Sequence, residues 1–181
     1  FMQAYFRNVQ AVSHVSALLI DIYQKTLMQA ETASSTVIDE DFELIDDRIS
    51  ARNAAVFAQN PSNLLRLFVV IGRDERIKRI DPETTRLLRA SSDLIDEAFC
   101  EDPINRRLFR DMLSSPFSMT KQLRRMLRHG VLGRYLPEFE KIVGQMQFDM
   151  FHTYTVDAHT MQVIANSRRF LRADYTDRFP V

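Results

Sequence analysis

Proline stands where this chain turns into helix. Asn60-Pro61-Ser62, Asp81-Pro82-Glu83 and Asp102-Pro103 each put a short polar side chain before a proline and a helical apolar period after it. Proline suits the first helical position, because the N–H it lacks would go unpaired there and its φ is already helical. The Asn or Asp before it is placed to cap the first turn. Pro61, Pro82 and Pro103 are spaced by 21 residues. The segments between them do not match, so the recurrence reads as ordinary use of proline at helix starts rather than as a repeat array. Leu136-Pro137-Glu138 adds a further start. With only 4 Gly in 181 residues, the chain is expected to be mostly helix with short connections.

Each start predicts an inward face. Asn53–Ala58 reads as a short helical piece. A helix capped by Asn60 buries Leu64, Leu65, Phe68, Val69 and Ile71. One capped by Asp81 carries a stripe through Leu87, Leu88, Leu94, Ile95 and Phe99, and one capped by Asp102 turns Ile104, Leu108, Phe109, Met112 and Leu113 inward. A helix from Ser118 or Thr120 runs through Met126 and Leu127 to Gly130, and Gly133 reads as a turn. The last helix is expected from Thr155, its N-cap, to about Leu171. Val156, Thr160, Val163, Ile164 and Leu171 share one side of it, and Asp157 complements its positive end.

Ahead of these, residues 1 to about 29 read as one long helix. Met2, Tyr5, Val9, Val12, Leu19 and Tyr23 follow an a/d heptad track, widened by Phe6, Val15, Leu18 and Ile22. At about 1.5 Å per residue it is roughly 40 Å long and is expected to need partner helices. The stripe already runs at Phe1 with no cap before it, so the chain is expected to be a piece of a longer protein. Residues 30–39, AETASSTVID, read as a connector. Phe42, Leu44 and Ile49 then alternate around Asp46-Asp47, giving a short β-hairpin near 40–50. Its acidic residues (Asp39, Glu40, Asp41, Glu43, Asp46, Asp47) read as a solvated surface, since no His or Cys joins them and the spacing fits no calcium loop. The fold class expected is therefore mostly α: an irregular multi-helix bundle with one long N-terminal helix and a short β-hairpin.

Apolar residues make up 45% and charged residues 27%, the balance of a globular rather than a disordered chain. No apolar run approaches the roughly 20 residues of a bilayer crossing. Lys and Arg number 24, as do Asp and Glu, so a globally basic nucleic-acid binder is not indicated. Cys100 has no second cysteine to pair with. The opening FMQAYFRNVQ lacks a leader pattern. Both features suit a reducing cytoplasm.

No glycine-rich phosphate loop, serine elbow, C-x-x-C or H-E-x-x-H occurs in the sequence. His14, His129, His152 and His159 each fit a structural or surface imidazole as well as a ligand. The densest charge lies in residues 103–135, where Arg106, Arg107, Arg110, Lys121, Arg124, Arg125, Arg128 and Arg134 oppose only Asp111. Two readings stand for it: solvated helix faces, or a surface for a nucleotide, RNA or an acidic protein.

The string from Gly130 to Phe139 (GVLGRYLPEF), continued by Ile142 to Thr160 (IVGQMQFDMFHTYTVDAHT), resembles the bacterial PII uridylyltransferase/uridylyl-removing enzymes. PSNLLRLF at Pro61 and LRRM at Leu123 resemble the same family. The resemblance implies a nucleotidyltransferase domain, a helical region, a metal-dependent HD phosphohydrolase domain and two glutamine-sensing ACT domains. It implies that the transferase attaches UMP from UTP to a tyrosine of the PII protein and that the HD domain hydrolyses it off. On this alignment residues 1–30 end the transferase half, 31–150 form the helical linker region and 151–181 begin the HD domain.

His159 then matches the first histidine of the HD metal site, and His152 is a candidate to support it. The later His-Asp pair is absent, as is the transferase's Gly-Ser start with the Asp-x-Asp pair that follows it. The resemblance thus implies magnesium or another divalent metal in the whole enzyme, none bound in this stretch, and no activity of the stretch alone. Arg106, Arg110, Arg124, Arg125, Arg128 and Arg134 are candidate contacts to PII or a nucleotide. UTP and glutamine belong to other regions, and neither nucleic acid nor membrane is expected as a partner. The rivals are a non-enzymatic helical module that binds an acidic partner through the same arginines, and the adenylyltransferase of glutamine synthetase. The Val156–Thr160 string, VDAHT, argues against the second.

Overall fold

The structure is a computed structural model that describes residues 1–28, 34–115, 119–146 and 154–170. Its centre is helix α3 (Asn63–Arg73), and the reason is visible in its composition. Leu64, Leu65, Leu67, Phe68, Val69 and Ile71 are apolar all round, and all are buried. Helices α6 (Pro103–Leu113) and α7 (Met119–Arg128) pack on it, contributing Met112, Leu123 and Met126. Short α8 (Val131–Tyr135) and α9 (Pro137–Ile142) continue from α7, and α10 (Val156–Phe170) lies against α7 and α9. Gly130, at φ 77°, lets the chain turn from α7 into α8. Gly133 lies inside α8, not in a turn, where the Glu140 side chain fills the place a Cβ would take.

The expected hairpin is present as β2 (Phe42–Ile45) and β3 (Arg48–Ala51), with Asp46 at φ 55° in its two-residue turn. It belongs to a larger sheet than expected. Part of the predicted connector, Ser35–Val37, is strand β1 and pairs antiparallel with β2. Asp46 helps hold it, its Oδ1 accepting from the Ser34 N–H at 3.1 Å. Strand β4 (Arg79–Ile80) adds in parallel to β3. The hairpin acids are not all solvated either: Arg66 of α3 bonds Asp39 at 2.5 Å and Asp41 at 2.7 Å, its guanidinium 5.4 Å from the Phe42 ring centre.

The Asp-Pro starts are confirmed. Asp81 accepts from the Glu83 N–H to open α4 (Pro82–Ala90), and Asp102 from the Ile104 N–H to open α6. Asn60 does not cap. It is extended, its carbonyl accepts from the Asn63 N–H at 3.0 Å, and α3 begins after it. The single stripe expected after Asp81 is broken. A 3-10 turn (Ser92–Leu94) follows α4, and Asp96 then caps α5 (Glu97–Glu101) by accepting from the Phe99 N–H. This path buries Leu88, Ile95 and Phe99 and leaves Leu94 exposed. Ile104 also faces out, because Asn105 takes the inward position and donates to the Phe99 carbonyl. The short helix expected at 53–58 is α2 (Val56–Gln59). Ser118 and Leu171 lie outside the described residues.

Helix α1 (Met2–Met28) docks with only part of its expected stripe turned inward: Met2, Phe6 and Leu18 are half-buried, among polar neighbours. Gln3, Gln10, His14, Asp21 and Lys25 are half-buried against the rest of the chain. Tyr5, Val9, Val12, Leu19 and Tyr23 are exposed, Val12 by 66%. The polar side has acceptors waiting for it. Gln3 and Arg7 donate to the carbonyls of Glu140, Lys141 and Val143 at the end of α9. Lys25 reaches Asp81, and Asp21 reaches Arg48, each at 2.5 Å.

Candidate functional site

The docked polar face of α1 makes one wall of two clefts, with α7 opposite. The larger, about 630 Å³, lies between α1, α7, the end of α9 and α10. Leu127, Val143 and Met161 form its apolar floor, and Gln10, Arg124 and Asp157 its polar walls. That combination of size and lining suits a small organic ligand or a partner's side chains. The smaller, about 220 Å³, lies between α1, β4, α4 and α7. His14 and Arg128 line both.

Helix α10 is placed by Asp157, which is buried and takes the Gly144 N–H at 3.0 Å. Asp157 and Met161 are buried one turn apart; of the predicted side, Val156, Thr160 and Ile164 are half-buried, and Ile164 packs against the core. Val163 is exposed. His159, two residues after Asp157, falls on the exposed side of α10. Among the described residues no group of three or more His, Cys, Asp or Glu is placed to hold a metal. A single exposed imidazole does not make such a site. His152 lies outside the described residues.

The candidate arginines separate into two groups. Arg106 donates to the Cys100 carbonyl at 3.2 Å, and Arg134 pairs with Asp93 at 2.6 Å, both at the α5–α8 end. Arg110 is exposed on α6. Arg124, Arg125 and Arg128 come together on the α1-facing side of α7. Arg124 and Arg128 are exposed. Arg125 is half-buried and donates to Gln122 Oε1 and the Lys78 carbonyl. Burial and the neighbouring Arg128 lower its pKa. Among the described residues none of these arginines is paired with the acidic hairpin, which is served by Arg66, Arg52 and Arg79.

Sequence reasoning did not place His14, Arg89 and His129 together. Burial, then Arg128 and Arg89, lowers the pKa of His14. Burial first, then Arg89 and Arg128, pulls His129 down to about 3. The signal was out of reach in the sequence, because these residues come from α1, α4 and the turn after α7, which meet only on folding. Cys100 is no activated nucleophile: burial raises its thiol.

Comparison with known proteins gives a consistent result. The family model for "Uridylyltransferase GlnD third domain" matches residues 42–135, from β2 to the end of α8. The whole chain is 40% identical to a bifunctional uridylyltransferase/uridylyl-removing enzyme of Azotobacter vinelandii, covering 20% of that protein. It is 41% identical to the enzyme so named from Pseudomonas fluorescens and 40% to that from Pseudomonas aeruginosa, again covering 20% of each. The chain thus spans about a fifth of the length of these relatives. No solved structure matches it.

Proposed function

Because this chain belongs to the uridylyltransferase GlnD third-domain family, we propose that it is the helical section of a cytoplasmic enzyme that both attaches and removes UMP. In this reading the enzyme transfers UMP from UTP to a tyrosine of the PII signalling protein and hydrolyses it off again in response to glutamine. The observation that carries the reading is identity of 40–41% along the entire chain to relatives with both activities in their names.

The chain's own part is positional. Residues 1–30 join the transferase half, 31–150 form the helical linker region and 151–181 lead into the HD domain. His159 sits on the exposed side of α10, where residues outside this chain could complete a divalent-metal site with it. Magnesium or another divalent ion would there polarise the phosphodiester and its attacking water. Arg110, Arg124 and Arg128 are the arginines best placed to meet PII. All three are exposed, and among the described residues no ion pair holds them. Arg106 and Arg134 already have partners within the chain.

The test uses the full-length enzyme with PII and UTP. His159→Ala should abolish UMP removal and leave UMP transfer intact, whereas retained removal refutes the assignment. The 181-residue chain alone should show neither activity; either activity in it would refute the positional role. Arg124→Glu should raise the KM for PII with kcat little changed, and unchanged kinetics would remove that surface from the reading.

A further inference from the structure

Among the described residues, the cations lining the smaller cleft outnumber the carboxylates that face them. Lys78 and Arg79 from β4 and the residue before it, Arg89 from α4, and Arg125 and Arg128 from α7 converge on about 220 Å³. Asp21 is the one carboxylate that lines it. It is already engaged, by Arg48 at 2.5 Å and Arg79 at 3.5 Å. Among the described residues no carboxylate pairs with Lys78, Arg89, Arg125 or Arg128. Lys78 and Arg125 donate only to neutral acceptors.

Two imidazoles complete the wall. Among the described residues the buried Nδ1 of His129 has no hydrogen-bond partner. A buried polar atom left unpaired in a native fold calls for a partner. With its proton on Nδ1, the neutral ring would donate to an anion held by the surrounding guanidinium groups. Both imidazoles respond to the same field, with Arg89 and Arg128 among the causes that lower the pKa of each. Half-buried cations without counter-charge are costly, and an anion between them removes that cost.

We infer that the cleft between α1, β4, α4 and α7 binds a phosphoryl oxyanion, gripped by Arg89, Arg125 and Arg128 with His129 Nδ1–H as a further donor. Guanidinium forks match the paired oxygens of a phosphoryl group. The cleft is smaller than the roughly 300–1,000 Å³ of ordinary organic-ligand pockets, which fits inorganic phosphate or diphosphate, or the phosphates of a nucleotide whose base stays outside. The inference rests on the charges of the cleft, not on the enzyme reading above, and stands or falls separately from it.

The test titrates the chain with inorganic phosphate, inorganic diphosphate and UTP at constant ionic strength, following the His14 and His129 ring protons by NMR. Diphosphate should give a saturable shift of the His129 ring and raise its apparent pKa, where NaCl gives neither. Arg89→Gln and Arg128→Gln should each weaken binding about tenfold while keeping the native circular dichroism. In anion-free, low-salt buffer Arg89→Gln should also raise Tm, because repulsion is relieved; a merely structural arginine would lower it. UTP binding more tightly than diphosphate makes a nucleotide the occupant, and the reverse order makes it the free anion. No saturable shift at millimolar concentrations of all three, or binding undiminished in Arg89→Gln, overturns the proposal.

Discussion

Asp157 Oδ1 accepts the Gly144 N–H at 3.0 Å, and Gln10 of α1 donates to the other oxygen of the same carboxylate at 3.4 Å. One buried side chain thus ties α10 to the end of α9 and to α1. Gly144 is at φ 70°, so its N–H points out of the chain's regular path and has this carboxylate as its acceptor. Asp157→Ala leaves that N–H unpaired and should cost about 1–3 kcal/mol. Hydrogen exchange should then quicken along α10 and leave α3 protected.

Asp81 serves two elements at once. Its Oδ2 caps α4 at the Glu83 N–H, and its Oδ1 receives Lys25 of α1. Asp81→Asn keeps an acceptor for the cap and loses the ion pair; Asp81→Ala loses both. The alanine variant should be less stable than the asparagine variant by about 1 kcal/mol, the worth of a cap. Urea denaturation of the two variants measures the difference.

The outward stripe of α1 and the core of α3 should respond oppositely to the same treatment. Leu19→Glu, on a residue that is 61% exposed, should change stability by no more than about 0.5 kcal/mol. Phe68→Ala, on a residue with no exposure, should cost about 3–5 kcal/mol. Comparable losses from both would mean that α1 docks by its apolar side.

His129 makes the fold sensitive to acid. Its pKa in the folded chain is about 3 and its ordinary value 6.5, so between these values the unfolded chain holds the extra proton. Stability therefore rises with pH through that window, is complete above it, and is lost as pH falls, by at most about 1.4 kcal/mol per pH unit from this group. The lowered pKa of His14 acts in the same direction. His129→Gln should flatten the profile of unfolding free energy against pH across the window.

Local chemistry was legible. Asp81-Pro82 and Asp102-Pro103 start helices because the cap and the proline act within one turn. The hairpin around Asp46 and the buried run of α3 also follow from near neighbours. The break between α4 and α5 is set by Asp96, which sits among the apolar positions of the expected stripe. Its role as a cap shows only once Ile95 and Phe99 are both buried.

The clefts were not legible. His14, Arg89 and His129 carry no shared pattern, and their proximity exists only because α1 lies across α4 and α7.

What the amino-acid order alone determined is where helices begin, which run is apolar enough to be the centre, and that α1 is helical and two-faced. Which face of α1 turns inward was decided only in three dimensions. Periodicity reports that two faces differ. It does not report that carbonyls at the end of α9 and the carboxylate of Asp81 stand at the right heights to receive Gln3, Arg7 and Lys25.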